Sequence, residues 1–253
     1  MPLPLALLLL VLMVLPARSE EVVAELSQSQ VSITAGFSGS EIVVFGAVKR
    51  NAPTPGDGPL DVIVAVTGPS EPVIVRRKER RFGIWINGPG VRISSAPSLY
   101  ALATTGPLDQ IISHTDGLRY RVGLDQAIRL IDAPVWVDDP AEYREALVRL
   151  RSESGLYFQE VGSITLREDT LFHADIDLPA QLVEGDYEAR IFLLRGREVV
   201  DIHTTSIQVR KVGLERWLYN MAHEQSLLYG FLSIAVALAA GWLASAFFRF
   251  FFP

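Results

Sequence analysis

One stretch near the end of the sequence, Ser226–Phe248, constrains the fold more than any other. It runs for 23 residues without a charged side chain. A helix of that length measures about 34 Å, which is enough to cross the roughly 30 Å hydrocarbon core of a bilayer. The sequence therefore predicts one C-terminal transmembrane helix at residues 226–248, followed by a short tail at residues 249–253.

A second apolar segment, at the start of the chain, predicts a signal peptide at residues 1–19. Its apolar core, Leu3–Leu15, is short for a membrane span, and the small residues Ala17 and Ser19 suit cleavage after Ser19. No Lys or Arg precedes that core, so an uncleaved N-terminal anchor is the alternative. In both cases residues 20–225 are predicted to lie outside the cytoplasm.

The composition narrows the class of protein. The 253 residues include no cysteine and carry a net charge of −6. The first fact excludes disulfides, thiol catalysis and cysteine-bound metals. The second argues against a nucleic-acid partner, which would require a basic face. The lack of cysteine is compatible with a bacterial envelope protein, and none of the three asparagines lies in a glycosylation sequon. We therefore expect a protein of the bacterial inner membrane, with the bulk of its chain in the periplasm and residues 249–253 in the cytoplasm.

Short apolar runs between the two ends predict a mainly β domain at residues 20–210. Glu41–Val48 and Leu60–Thr67 are nearly continuous apolar runs rich in β-branched residues, which indicates strands covered on both faces. Short strands are also predicted at Phe82–Ile86 and Val91–Ser94, with a loop at Asn87–Gly90 between them. Three more strands are predicted later in the chain, at Leu171–Leu178, Asp186–Leu194 and Glu198–Val209.

The middle of the domain has helical spacing instead. Apolar residues recur at helical intervals in Leu124–Ile131. A second helix is predicted from Asp139, which can cap it, to Gly155, which can end it. We interpret residues from about 97 to 156 as a helical insertion between strands that share one core. Two small domains divided near Ala133 are the alternative.

The segment that precedes the strand at Asp186–Leu194 indicates the kind of β fold. Leu182, Gly185 and Tyr187 form a Leu-x-x-Gly-x-Tyr pattern. This pattern looks like the tyrosine corner of immunoglobulin-like (Ig-like) sandwiches, in which the Tyr hydroxyl bonds back to the backbone. The sequence therefore predicts an Ig-like β-sandwich with a helical insertion, with Tyr187 as its structural corner residue.

A basic run provides the main candidate binding site. Arg76–Arg81 contains a single carboxylate among five cations, namely Arg76, Arg77, Lys78, Arg80 and Arg81. Such a run can dock an anionic lipid headgroup, an acidic partner or a small anionic ligand. The alternative is a solvated hairpin tip that binds nothing.

No pattern in the sequence predicts catalysis. His173, Asp175 and Asp177 share one face of a strand, and their strict alternation indicates a solvent-facing surface rather than a metal site. Gly36–Ser40 lacks the final Gly and the following helix of a nucleophile elbow, and His114 lies in a polar turn. We therefore predict no enzyme activity, no catalytic or metal-binding residue, and no cofactor.

An amphipathic segment precedes the predicted span. Residues 211–225 predict an amphipathic juxtamembrane helix that lies at the membrane interface; the alternative is a plain extension of the span.

Within the span, small residues recur every four positions on one helix face, at Ser233, Ala237, Gly241 and Ser245. This face predicts packing against a partner helix, from a second copy or from another membrane protein. The alternative is that small residues are simply common in spans.

Segments at the predicted corner and at the C-terminal end carry a family resemblance. They are Leu178-Pro179, Glu184–Tyr187, Lys211–Glu215, Leu227–Gly230 and Ala240–Ala244. They resemble the Alph_Pro_TM family of alphaproteobacterial transmembrane proteins. The resemblance implies a signal peptide, an extracytoplasmic domain and one C-terminal span, and it implies no catalytic residue. It also implies a position near membrane permeases of the sulfite/sulfonate exporter type.

These observations favour a single-pass inner-membrane protein whose periplasmic domain binds a partner, as an accessory subunit of a membrane transporter. The expected partners are the lipid bilayer and a membrane protein or a second copy of the chain. The alternative is an extracytoplasmic sensor or binding module for a small anionic ligand, which would use Arg76–Arg81.

Overall fold

The computed structural model describes residues 20–50, 58–128, 137 and 139–251. The predicted signal peptide and the domain division near Ala133 lie outside these residues. The limits predicted for the domains stay predictions.

The chain forms two compact units. Of the described residues, the first unit contains those up to Val31 together with those in Ser38–Val209, and the second contains Ser32–Phe37 together with those from Arg210 onward. The strands are β1 (Glu20–Leu26), β2 (Gln30–Ile33), β3 (Ser40–Arg50), β4 (Leu60–Thr67), β5 (Ser70–Arg81), β6 (Ile84–Pro97), β7 (Tyr100–Thr104), β8 (Tyr157–Val161), β9 (Thr165–Arg167), β10 (Leu171–Leu178), β11 (Gly185–Arg195) and β12 (Glu198–Lys211). The helices are α1 (Leu108–Ile111), α2 (His114–Tyr120), α3 (Leu124–Ala127), α4 (Pro140–Glu153), α5 (Leu214–Glu224) and α6 (Ser226–Phe251).

The strands form three sheets. One sheet has the strand order β1-β3-β10-β9, a larger one has the order β2-β12-β11-β4-β7-β8, and β5 pairs with β6 alone. Strands β7 and β8 pair in parallel, whereas β1–β3, β3–β10, β4–β11 and β11–β12 are antiparallel. The chain is therefore mainly β, as the sequence predicts.

The first two sheets supply the hydrophobic core of the first unit. Strand β1 contacts β11, and β10 contacts β7. Val44 in β3, Ala174 in β10 and Ile191 in β11 are completely buried. Removing these apolar side chains from water is the main favourable contribution to folding.

Strand β4 is covered on both faces, as predicted, but the same prediction for β3 is wrong. Every residue from Val62 to Val66 is buried. In β3 burial alternates, and Phe45 is 47% exposed. Strand β4 lies between β11 and β7 in the larger sheet, whereas alternate side chains of β3 face solvent.

The end of α2 makes one of the contacts between a helix and the larger sheet. The Tyr120 and Phe192 rings lie 6.1 Å apart, and Arg190 donates a hydrogen bond to the Tyr120 carbonyl over 2.9 Å.

Residues around His114, which the sequence predicts as a polar turn, form helix α2 instead. Ser113 caps that helix by accepting a hydrogen bond from the Asp116 N–H over 3.2 Å, which stabilises even a short helix.

The second unit ends in the apolar helix α6. Its segment Ser226–Ser245 is long and apolar enough to cross a membrane, with a mean hydropathy of 2.0, and is not buried in the structure. Over the described part of the chain it is the one helix of this kind. The prediction of a C-terminal membrane helix is therefore supported, and the helix continues to Phe251, beyond the predicted end at residue 248.

Candidate interaction site

The basic run belongs to a hairpin that forms its own two-stranded sheet. Arg76–Arg81 is the last part of β5, and the chain returns through a two-residue turn at Phe82 and Gly83. Both turn residues have positive φ, +50° and +84°, as a tight hairpin turn requires. The cations therefore lead directly into the turn, and a docking role for them stays a prediction.

The predicted loop at Asn87–Gly90 is wrong, because these residues lie within β6. The pairing register shifts between Arg76 and Lys78, opposite this segment. The irregularity accommodates Pro89, which lacks a backbone N–H. Gly88 lies so close to β5 that a Cβ there would be 2.6 Å from the Glu79 Oε1 atom.

Three large apolar side chains project from the end of this hairpin. Phe82 is completely exposed, Ile84 is 65% exposed and Trp85 is 68% exposed. The sequence predicts a strand at Phe82–Ile86 and does not predict this patch. The signal was present, because a Phe-Gly pair at a tight turn places an aromatic side chain where no core can reach it.

The structure divides the five predicted cations between two places. Arg76, Arg77 and Lys78 line a groove of about 230 Å³ between β5 and α4, and Arg149 of α4 joins them. Arg80 and Arg81 lie at the hairpin end instead. Sequence reasoning did not find Arg149, which comes from a distant part of the chain.

Local partners already bind several of these cations. Arg77 forms an ion pair with Glu142 of α4, and Arg76 donates to the Gly88 carbonyl over 3.4 Å. Arg81 donates to the Glu79 carboxylate through Nε and Nη2, at 3.2 and 2.8 Å. The groove is therefore basic, but Glu142 neutralises part of its positive charge, and Glu79 neutralises Arg81 at the hairpin end.

The predicted corner residue, Tyr187, is buried. Tyr187 is 1% exposed, and its hydroxyl donates to the Val183 carbonyl over 2.9 Å and accepts from the Val183 N–H over 3.2 Å. Burial raises the pKa of the Tyr187 hydroxyl, which therefore keeps its proton and remains a donor at neutral pH. The bond closes the turn that leads into β11.

Substitution of Tyr187 by phenylalanine tests this bond. We expect the free energy of unfolding to fall by about 1 kcal/mol, because one buried hydrogen bond is lost. Urea denaturation of the full chain in detergent measures the change. The matched control is Tyr120→Phe, at a half-buried tyrosine. Equal stability of the Tyr187→Phe variant and the wild type would show that the corner bond contributes nothing.

The small-residue face of α6 is open along its length. Ser233, Ala237, Gly241 and Ser245 are all exposed. Ser233 turns its hydroxyl back to the Tyr229 carbonyl, at 2.8 Å. A Cβ at Gly241 would meet no atom within 4 Å, so a second helix can approach closely there.

The polar residues weighed as a metal site lie on the outer face of β10. Phe172, Ala174 and Ile176 are buried, while Asp175 and Asp177 are exposed. Across the ranges that the structure describes, no three His, Cys, Asp or Glu side chains are grouped so as to hold a metal ion.

Comparison of the chain with curated proteins and with solved structures adds little. No curated protein matches the chain. A similarity to the crystal structure of Spo0M, a sporulation control protein from Bacillus subtilis, has 10% sequence identity and a TM-score of 0.27. It covers 83% of this chain and 56% of that chain, and a score so low carries no argument about the fold.

The family described as "Putative transmembrane protein (Alph_Pro_TM)" matches residues 21–250, which is most of the chain. The match agrees with the apolar helix α6 and with the family resemblance of the corner and the C-terminal segments. The chain therefore belongs to the Alph_Pro_TM family of transmembrane proteins.

Proposed function

We propose that this chain is a single-pass protein of the bacterial inner membrane, whose periplasmic Ig-like domain and transmembrane helix together bind a membrane protein. It acts as an accessory subunit of a transporter and catalyses no reaction. The observation that carries the proposal is the small-residue face of α6, because a helix that only anchors a domain needs no continuous groove.

Two features support the Ig-like assignment of the first unit. Two mainly antiparallel sheets contact each other through β1, β11, β10 and β7. The Tyr187 hydroxyl bonds to the backbone four residues upstream, at Val183, as the hydroxyl of a tyrosine corner does. Domains of this kind often serve as binding modules, and that likeness is an analogy of fold alone.

Replacing Gly241 with leucine tests the role of α6. Leucine would fill the groove and separate the helix from its partner, so we expect the yield of crosslinked complex to fall about 5- to 30-fold. The measurement is crosslinking of the full chain in native membranes, followed by quantification of every adduct, including the homodimer.

The matched control is Ala239→Leu, which adds similar bulk almost opposite Gly241 on the helix, since successive residues are rotated by about 100°. This variant should crosslink like the wild type. If Gly241→Leu and the wild type give the same yield, at equal expression, α6 is a plain anchor and the proposal fails.

A second candidate function, binding of a small anionic ligand, has the groove between β5 and α4 in its favour. Four cations line it against the single carboxylate of Glu142. The ion pair between Arg77 and Glu142 and the bond from Arg76 to Gly88 already occupy part of that charge. For this reason we rank anion binding below partner binding.

A further inference from the structure

The end of the β5–β6 hairpin carries side chains that neither the turn nor the core requires. Phe82 has a φ of +50°, a left-handed conformation that Asn and Gly adopt readily and bulky residues avoid. Its ring is fully exposed, so it gains no burial in return. Because Phe82 is unfavourable for the backbone of this turn and is not buried, its presence indicates that its side chain has a role in contacts outside the domain.

The two strands place a cation beside each apolar side chain. Arg80 pairs across the strands with Trp85, and Arg81 pairs with Ile84. Residues directly opposite each other in an antiparallel pair share a face. Each face of the hairpin end therefore presents one Arg and one apolar side chain, and Phe82 extends beyond both.

This combination matches the chemistry of an anionic bilayer surface. Aromatic rings favour the headgroup level of a membrane, and Lys and Arg side chains near the surface bind its anionic lipids. The run Arg76–Arg81 supplies five cations; Arg77 pairs with Glu142 and Arg81 pairs with Glu79, so the cations still outnumber these two carboxylates. The hairpin end thus offers apolar side chains at its tip and positive charge directly behind them.

We propose that the β5–β6 hairpin inserts its end into the headgroup region of an anionic bilayer, with Phe82, Ile84 and Trp85 among the lipids and Arg80 bound to their phosphates, while Arg81 stays paired with Glu79. A protein partner fits this end less well, because a standard interface covers about 800 Å² on each side, more than three side chains on a narrow turn supply. A weak lipid contact suffices here, since α6 tethers the chain to a bilayer and raises the effective concentration.

The test uses the absence of cysteine in the chain. A single cysteine, Ile84→Cys, carries a nitroxide label in the full chain reconstituted into vesicles of phosphatidylcholine with about one third phosphatidylglycerol. Electron paramagnetic resonance then compares the collision of the label with oxygen, which enriches in lipid, and with a water-soluble nickel chelate. We expect the label to be accessible to oxygen and shielded from nickel.

Three controls sharpen this result. A label at Asp175→Cys, on the outer face of β10, should stay aqueous. Adding Phe82→Asn to the Ile84→Cys chain keeps a residue suited to the turn and removes the ring, so the shielded fraction should fall about tenfold. Pure phosphatidylcholine should also lower that fraction, because it removes the anionic charge.

The proposal is overturned if the label at Ile84→Cys is as aqueous in anionic vesicles as the label at Asp175→Cys. It is equally overturned if the label is shielded only when native membrane proteins are present, since the hairpin end would then bind protein. Neither result bears on the crosslinking of Gly241, so the two proposals fail independently.

Discussion

Replacing Arg195 with methionine should lower the free energy of unfolding by about 3–5 kcal/mol. Arg195 binds the Glu20 carboxylate through two bonds of 2.8 Å and donates a third bond of 2.8 Å to the Gly58 carbonyl. The Glu20 side chain is 1% exposed. Among the residues that the structure describes, the substitution would leave the buried carboxylate with Arg50, at 3.3 Å, as its ion-pair partner.

Urea denaturation of the full chain in detergent measures this loss, and Lys49→Met provides the control. Lys49 pairs with Glu21 over 3.5 Å, but both side chains are at least half exposed. Such pairs contribute about 0–1 kcal/mol. Similar losses for Arg195→Met and Lys49→Met would contradict the account. The double substitution Glu20→Leu with Arg195→Met should recover part of the lost stability, because it removes both charges.

The same ion pair gives the stability of the wild type a defined pH dependence. The hydrogen bond and charge of Arg195 lower the pKa of Glu20 from its ordinary value of 4.5. The stabilisation is therefore fully present above about pH 4.5 and is lost as the pH falls through the lower, folded-state pKa. A wild-type protein whose stability rose on acidification through this window would contradict the assignment.

The position of this pair gives it a structural role. Glu20 opens β1, Arg50 ends β3 in the same sheet, and Arg195 ends β11 in the larger sheet. The carboxylate therefore joins the two sheets at one end. If cleavage occurs after Ser19, as the sequence predicts, Glu20 begins the mature chain and the pair holds its first strand in place.

Features with a strong local signal could be predicted from the sequence. The alternation in β10 fixes which side chains are buried, because neighbouring residues of a strand face opposite sides. Asp139 caps α4 by accepting from the Ala141 N–H over 2.9 Å, as its position before Pro140 indicates. The apolar length of α6 likewise needs no tertiary information.

Features that depend on tertiary neighbours could not be predicted. Periodicity cannot show which β3 side chains remain in solvent, since this depends on the elements that cover the sheet. Arg149 reaches the groove only because α4 packs beside β5. The pairing of Glu20 with Arg195 joins residues 175 positions apart, and no local pattern marks such a pair.

The central claim is that a membrane-anchored domain lies outside the cytoplasm, and the charges near the span do not decide it. Arg210, Lys211 and Arg216 precede α6, and Arg249 alone follows the predicted span. The positive-inside rule therefore gives little help with the orientation. The predicted signal peptide must therefore set the topology. The two possible topologies can be distinguished directly, because they place the domain and the tail on opposite sides of the membrane.

That measurement is cysteine labelling of intact cells in which the outer membrane has been made permeable. Because the chain has no cysteine, Asp175→Cys reports on the domain, and a cysteine added after Pro253 reports on the tail. We predict that a maleimide unable to cross the inner membrane labels Asp175→Cys fully, and labels the added cysteine only after lysis. Labelling of the added cysteine before lysis, with Asp175→Cys protected, would contradict the account.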